Sequence, residues 1–386
     1  MQRMIINSLL DTDLYKLTMM QCVLHHFPLT QATYQFKCRK KIMLANLVKE
    51  IQENIAHFCQ LRFTEDELAY LGTLPFFKAD FISFLRDFQL NPKYIQVSTK
   101  NDLEIHIQGS WLDTILFEVP VLAMVSEIYY RHNFPKADLT VGLQRLDDKI
   151  EFITHDKYQG LRFSDFGTRR RFSHQWHQQL LSTLKEKCPL QFNGTSNLYF
   201  AKEMNLRPIG TMAHEYLQAF QVLAPSLKGS QNFALNIWLK EYQDQLGIAL
   251  TDALTMDVFL QEFDKYLATH FAGLRQDSGD PIEWGEKAIK HYASLGIDAK
   301  DKIFVFSDSL TFEKMAALYE HFQGRCWPMF GIGTNLTNDV GYQPLDIVIK
   351  MTHTNHQPVI KISDSKGKLV SEDDAYLQHV KDTFQL

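Results

Sequence analysis

Apolar residues follow two rhythms along this chain. Up to about residue 110 they are mixed. Thr33 to Cys38 alternates as a strand does, whereas Leu44, Leu47, Ile51, Ile55 and Phe58 recur at helical spacing. Ile95 and Val97 face Leu103, Ile105 and Ile107 across Lys100-Asn101-Asp102, which predicts a hairpin. This part reads as a small α+β layer. From about residue 160 a short apolar stretch, a polar glycine-containing loop and an amphipathic helix recur six or seven times. Phe172, Trp176, Leu180 and Leu184 share one helix face, as do Phe259, Phe263 and Tyr266, and again Phe312, Met315, Tyr319 and Phe322. Asp280-Pro281 followed by Glu283 reads as an N-cap, a first-turn proline and a capping glutamate.

Repeated strand–loop–helix units imply parallel strands, and roughly 230 residues of them approach the size of a (β/α)₈ barrel. The alternative is a doubly wound open sheet. Leu345 to Lys350 and Val359 to Ile362 look like a hairpin returning to the first part of the chain.

Composition narrows the class. A chain of 386 residues favours two domains, and 45% apolar with 22% charged residues is ordinary for a soluble globular protein. The 28 Phe promise an aromatic core. A net charge of −5 argues against nucleic acid as the main partner. Cys22, Cys38, Cys59, Cys188 and Cys326 are odd in number and scattered, so they read as reduced thiols and not as a disulfide framework or zinc site. Met1 to Asn7 is too short and polar for a signal peptide. The apolar window Trp111 to Tyr130 carries Asp113, Glu118, Glu127 and Pro120, which predicts a buried helix and no membrane span. A cytoplasmic protein is the expectation.

The loops carry the candidate chemistry. In Asp165-Phe166-Gly167-Thr168-Arg169-Arg170-Arg171 an aromatic platform stands beside three guanidinium forks suited to carboxylate or phosphate. Arg170 and Arg171 equally suit the start of a solvated helix. The Asp-Phe-Gly triplet is also found in protein kinases, but the kinase glycine-rich loop and His-Arg-Asp segment are missing. Arg275 and Asp277 lie two apart at a strand end, so both point one way and suit oxocarbenium-like chemistry beside an anionic leaving group. A structural ion pair explains the same spacing. Asp252 and Asp308 follow apolar strands and serve either as helix caps or as ligands for ribose hydroxyls or magnesium. Gly331-Ile332-Gly333-Thr334 is a candidate phosphate cradle or a plain tight turn. His214 has no partner at metal-ligand spacing, which leaves acid–base work or nucleophilic attack on phosphorus.

Six of these stretches occur in the order found in the nicotinate phosphoribosyltransferases: Asp11 to Lys16, Asp165 to Arg171, Gly194-Thr195-Ser196-Asn197, Gly210 to Glu215, Arg275 to Pro281 and Phe330 to Thr334. The chain resembles that family from about residue 8 to beyond 365. The resemblance implies an α/β protein: an irregular (β/α) barrel of the type II phosphoribosyltransferase kind over residues 113–343, with a smaller α+β sandwich domain over 1–112 completed by 344–386. It implies transfer of phosphoribosyl from 5-phosphoribosyl 1-diphosphate to nicotinate, coupled to ATP hydrolysis, with magnesium carried by diphosphate and ATP and no organic prosthetic group.

It also implies a homodimer with active sites at the interface. His214 matches the phosphorylated histidine. Phe166 and Tyr15 match the rings that sandwich the pyridine, the tyrosine coming from the partner subunit. Arg169 and Arg275 match substrate and phosphate contacts; Asp252, Asp277 and Asp308 match positions around ribose and diphosphate. Gly333 and Thr334, with Gly331, match the 5′-phosphate cradle, and Thr195 and Ser196 the substrate motif. The nicotinamide phosphoribosyltransferases resemble the chain through the same barrel. They carry an aspartate where Ser196 stands, and a serine can donate to a carboxylate that an aspartate would repel. Quinolinate phosphoribosyltransferase lacks the histidine motif and is a poorer match. A phosphosugar-binding barrel without catalysis is the reading from another class.

Overall fold

The computed structural model describes residues 4–100, 102–365 and 373–386. Eleven strands appear among them: β1 (Gln31–Cys38), β2 (Ile95–Thr99), β3 (Leu103–Ser110), β4 (Phe163–Asp165), β5 (Phe192–Thr195), β6 (Ile248–Leu250), β7 (Gly273–Gln276), β8 (Ile303–Phe306), β9 (Trp327–Ile332), β10 (Ile347–Thr354) and β11 (Gln357–Pro358). They form two sheets, an antiparallel one ordered β11-β10-β1-β3-β2 and a six-stranded one ordered β5-β4-β9-β8-β7-β6.

Every pairing in the six-stranded sheet is parallel. Its strands are short and mostly buried, as expected where helices cover a parallel sheet. The open edges at β5 and β6 face each other across the segment Arg207–Thr211. Thr195 N donates to Arg207 O at 3.1 Å, Ile209 N donates to Thr195 O at 2.9 Å, and Thr211 Oγ1 donates to Ile248 O at 2.9 Å. An irregular segment therefore completes the ring, and the barrel is irregular for that reason.

The antiparallel sheet joins distant parts of the chain. β2 and β3 form the predicted hairpin, with Ile95 opposite Ile107 and Val97 opposite Ile105. Its expected turn includes Asn101, which lies outside the described residues. β10 pairs with β1 along its whole length and continues into β11.

Several helices differ from expectation in their limits. The window from Trp111 breaks into helices Trp111–Thr114 and Glu118–Asn133, so Pro120 falls in a first turn and breaks nothing. The face of Phe259, Phe263 and Tyr266 is divided: one helix ends at Glu262, and Asp264 caps the next by accepting from Leu267 N. Tyr266 is consequently exposed while both phenylalanines are buried. At Pro281–Ser294, Asp280 accepts from Ile282 N and Glu283 N as its sequence predicts. No helix among the described residues is long and apolar enough to cross a membrane.

Candidate active site

The C-terminal ends of the parallel strands open into a cavity of about 570 Å³ whose far wall is the antiparallel sheet. Tyr15, Phe166, Arg169 and Ser196 line one part of it, and His214, Arg275, Asp277, Asp308, Gly333 and Thr334 line the rest. Thr195, Asp252 and Gly331 are buried behind that lining.

At the ring end, Phe166 follows β4 and its N–H donates to Ile332 O at 2.8 Å. Its side chain lies against Gly331, where an added Cβ would stand 2.2 Å from the ring. Gly331 belongs to β9 and so seats the platform; it does not reach the cavity as a phosphate cradle would require. Thr195 is likewise turned inward, donating to Asp165 Oδ2 at 2.6 Å, the oxygen that His177 Nε2 also meets at 2.7 Å. This tie fixes β4 against β5.

Tyr15 opens the helix Leu14–His26. Leu14 N donates to Ser196 O at 2.8 Å, and Asp13 bridges to Asn197, so Tyr15 enters the cavity from the same chain as Phe166. The resemblance implies delivery of this tyrosine by a partner subunit; within the single chain it lines the same cavity as Phe166. Ser196 Oγ donates to Asp13 Oδ1 at 2.7 Å. That proton therefore already has an acceptor, and a carboxylate stands beside the serine where the sequence comparison suggested none. Burial pushes the Asp13 carboxyl up, with the Arg169 charge opposing.

The three arginines diverge. Arg169 Nη1 lies 3.5 Å from Glu118 Oε1 at the cavity wall. Arg170 Nη1 meets Asp346 at 3.1 Å, and burial followed by its neighbour Arg169 draws its guanidinium down to about 10. Arg171 is fully buried and bidentate to Asp11, with both bonds at 2.7 Å. The solvated-helix reading is wrong for Arg171, because the helix starts only at His174, capped by Ser173.

At the other end, His214 begins the helix His214–Leu223. Its Nε2 lies 2.9 Å from Asp252 Oδ1, 2.8 Å from Lys361 Nζ and 3.6 Å from Asp277 Oδ2. Burial, then the Lys361 charge, lowers the His214 pKa against the pull of Asp252. The imidazole is thus neutral at neutral pH and keeps a nucleophilic lone pair. Asp252 is buried, yet His214 and Lys361 hold it ionised well below the usual carboxylate range. His214, Asp252 and Asp277 place three ligand atoms within 4.8 Å of one another. The Lys361 ammonium already lies 2.8 Å from Asp252 Oδ2, so an internal cation answers that carboxylate. Arg275 and Asp277 leave β7 together and both face the cavity, as their spacing suggested. Ser307 Oγ steadies Asp277 with a 3.0 Å bond to Oδ1.

Five charged groups here had no role in the sequence reading: Asp13, Lys16, Glu118, Glu215 and Lys361. Lys16 offered a signal, since a lysine inside the apolar run from Leu14 to Val23 needs buried counter-charges. Glu118, inside the apolar window from Trp111, offered another. Lys361 stands 147 residues from His214 and offered none.

The pattern of the "Nicotinate phosphoribosyltransferase (NAPRTase) family" matches residues 161–386, and that of its N-terminal domain matches residues 10–126. Among relatives, the nicotinate phosphoribosyltransferase of Burkholderia mallei is 50% identical over 387 residues, covering 99% of this chain and 97% of the relative. That of Cupriavidus necator is 50% identical over 388 residues, with 99% of each covered. Among solved structures, nicotinate phosphoribosyltransferase from Vibrio cholerae superimposes with a TM-score of 0.95 at 40% identity, covering 99% of this chain and 94% of that one. A putative nicotinate phosphoribosyltransferase from Saccharomyces cerevisiae gives 0.92 at 32% identity, over 100% and 99% of the two chains.

Proposed function

The chain belongs to the nicotinate phosphoribosyltransferase family, and from that premise we propose how its cavity joins nicotinate to 5-phosphoribosyl 1-diphosphate, giving nicotinate mononucleotide and diphosphate. The observation that carries the reading is one cavity with a ring-and-guanidinium end, Phe166, Tyr15 and Arg169, and a histidine–carboxylate end, His214, Asp277 and Arg275. The pyridine nitrogen is a weak nucleophile. Stacking and an Arg169–carboxylate bond, contributing about 1.5–3 kcal/mol, hold it towards ribose C1. As the C1–O bond to diphosphate breaks, Asp277 faces the cationic carbon and Arg275 the departing anion.

His214 is the proposed acceptor of the ATP phosphoryl group, its neutral ring supplying the electron pair while ADP leaves with the broken P–O bond. The phosphorylated ring would sit beside Lys361 and Arg275, so its new charge bears on diphosphate affinity. ATP hydrolysis can then drive synthesis through differential binding. Asp277 and Asp308 line the cavity and offer oxygen ligands of the kind magnesium takes, so they fit an ion carried in by diphosphate. The division into residues 1–112 with 344–386, and 113–343, belongs to this reading. It is supported by the two sheets, one from β1–β3 with β10 and β11, the other from β4–β9. So does the homodimer, which sedimentation at micromolar concentration checks.

The test is incubation with ATP, 5-phosphoribosyl 1-diphosphate and either nicotinate or nicotinamide, with diphosphate release as readout. Release with nicotinate is expected; release with nicotinamide alone would shift the substrate, and Asp13 beside Ser196 makes that arm worth running. No release with either base would leave a binding protein. His214→Ala should abolish ATP stimulation while a slow ATP-independent transfer survives. Loss of both in a folded variant would place His214 in the transfer step itself.

A further inference from the structure

A buried chain of charges runs beneath the ring end of the cavity. Lys16 is fully buried, and its ammonium lies 2.5 Å from Glu118 Oε2 and 2.8 Å from Glu215 Oε2. Glu118 in turn meets Arg169 at 3.5 Å, the loosest contact of the series. Both carboxylates line the cavity together with Arg169 and Tyr15. Glu215 Oε1 and the Tyr34 hydroxyl are both buried, and each has the other as its nearest polar partner. The ionisable groups facing Glu215 are Lys16 and Tyr15 from the first helix, Tyr34 from β1 and Glu118 across Lys16, while the neighbouring His214 is turned to Asp252 and Lys361. Arg169 stands beyond Glu118.

Counted as ions, Arg169, Glu118, Lys16 and Glu215 sum to zero. An added ligand carboxylate would leave this set, whose Lys16 and Glu215 are buried, one negative charge in excess, which low-dielectric surroundings resist. Glu215 is the member at the end of the chain, with an ammonium shared with Glu118 and only the neutral Tyr34 hydroxyl beside its other oxygen. Burial, opposed by Lys16 and aided by Glu118, pushes its carboxyl up to about 7.

We propose that Glu118, Lys16 and Glu215 form a charge relay that senses the ligand's carboxylate: an anionic pyridine carboxylate takes Arg169 from Glu118, Glu118 draws on Lys16, and Glu215 takes one proton from solvent. A neutral amide leaves Arg169 with Glu118, and no proton moves. This rests on the proposed binding of nicotinate at Arg169. Above the Glu215 value of about 7 the free group is ionised and must be protonated on binding, so the Kd for nicotinate rises with pH, by about tenfold per unit for one proton. Below it Glu215 already carries the proton, and the Kd is flat.

Calorimetric titration of the full-length protein near pH 8, in buffers of different ionisation heat, counts the protons directly. Nicotinate is expected to bind with uptake approaching one proton per site, and nicotinamide with none. Glu215→Gln should bind nicotinate without uptake and with a Kd independent of pH. Glu118→Gln is the second variant: with Lys16 left to Glu215 alone, uptake should fall as well. Nicotinate binding to the wild type without uptake overturns the relay and leaves the function intact. Uptake that persists in Glu215→Gln, or that vanishes in Asp13→Asn, overturns it by placing the proton elsewhere. Failure of nicotinate to bind at all removes the proposed substrate and the relay together.

Discussion

Three consecutive guanidinium groups stand in one turn because a different carboxylate answers each: Glu118 for Arg169, Asp346 for Arg170 and Asp11 for Arg171. The last pair is buried on both sides and holds the loop before the first helix against the turn after β4. Burial raises the Asp11 carboxyl, but Arg171, with help from His174 and Asn197, holds it at about 2. Arg171→Met would strand a buried carboxylate, a loss of about 3–5 kcal/mol on the scale of broken buried pairs, and urea denaturation at neutral pH measures it. The pH dependence has a definite sign. A carboxyl lowered in the folded state adds stability at pH values above its unfolded pKa. That contribution, about 2 kcal/mol here, is lost as pH falls towards 2. In Arg171→Met this acid-labile part should be missing. The repeated arginines advertised an anion site in the sequence, and two of the three, Arg169 and Arg170, line the cavity while Arg171 is paired with Asp11. Nothing local distinguishes a guanidinium bound for a ligand from one bound for an aspartate 160 residues away.

The barrel closes through an irregular segment. Between β5 and β6 the ring depends on Arg207–Thr211, and Gly194 in β5 lies hard against that segment. Its φ is +146°, and an added Cβ would fall 2.1 Å from Arg207 O, a backbone atom with little freedom to retreat. Gly194→Ala should cost about 1–3 kcal/mol and lower Tm. Gly324→Ala is the control, since φ there is +74° with nothing within 4 Å of the added Cβ. If both variants melt alike, backbone strain alone is at work and the closure is not tight. Strands and helices of this barrel were legible because periodicity of 2 or 3.6 is a local property. The seam was not, since Arg207–Thr211 makes its bonds without strand periodicity. The helix break at Asp264 was missed for a related reason: Phe259, Phe263 and Tyr266 keep helical spacing across it, and the cap competes successfully with that pattern.

An ion cluster ties the chain after the antiparallel sheet to the barrel mouth. Lys361 follows the antiparallel sheet, and Ile362 N donates to Ala253 O at 2.9 Å, which brings the lysine to the barrel mouth beside His214 and Asp252. Because the Lys361 charge lowers the His214 pKa while Asp252 and Asp277 raise it, Lys361→Met should move the histidine titration to higher pH. Ring-proton NMR of the folded variant checks the direction. An unchanged titration would mean that burial alone keeps the ring neutral. If His214 accepts phosphoryl as a free base, that variant also shifts the ATP-stimulated rate towards higher pH.

The alternation of short apolar strands, polar loops and amphipathic helices already specified a parallel α/β architecture. The ordered motifs around Phe166, His214 and Arg275 specified the family, because both are written in residues a few positions apart. Packing of the barrel against the second sheet decided which charges face one another: Lys361 with His214, Arg171 with Asp11, and Lys16 between Glu118 and Glu215. It also turned Thr195, Asp252 and Gly331 inward and tied the start of the Tyr15 helix to Ser196. Such pairings join residues up to about 200 positions apart and are chosen by the burial of a charge that must find its counter-ion, which no local spacing can express.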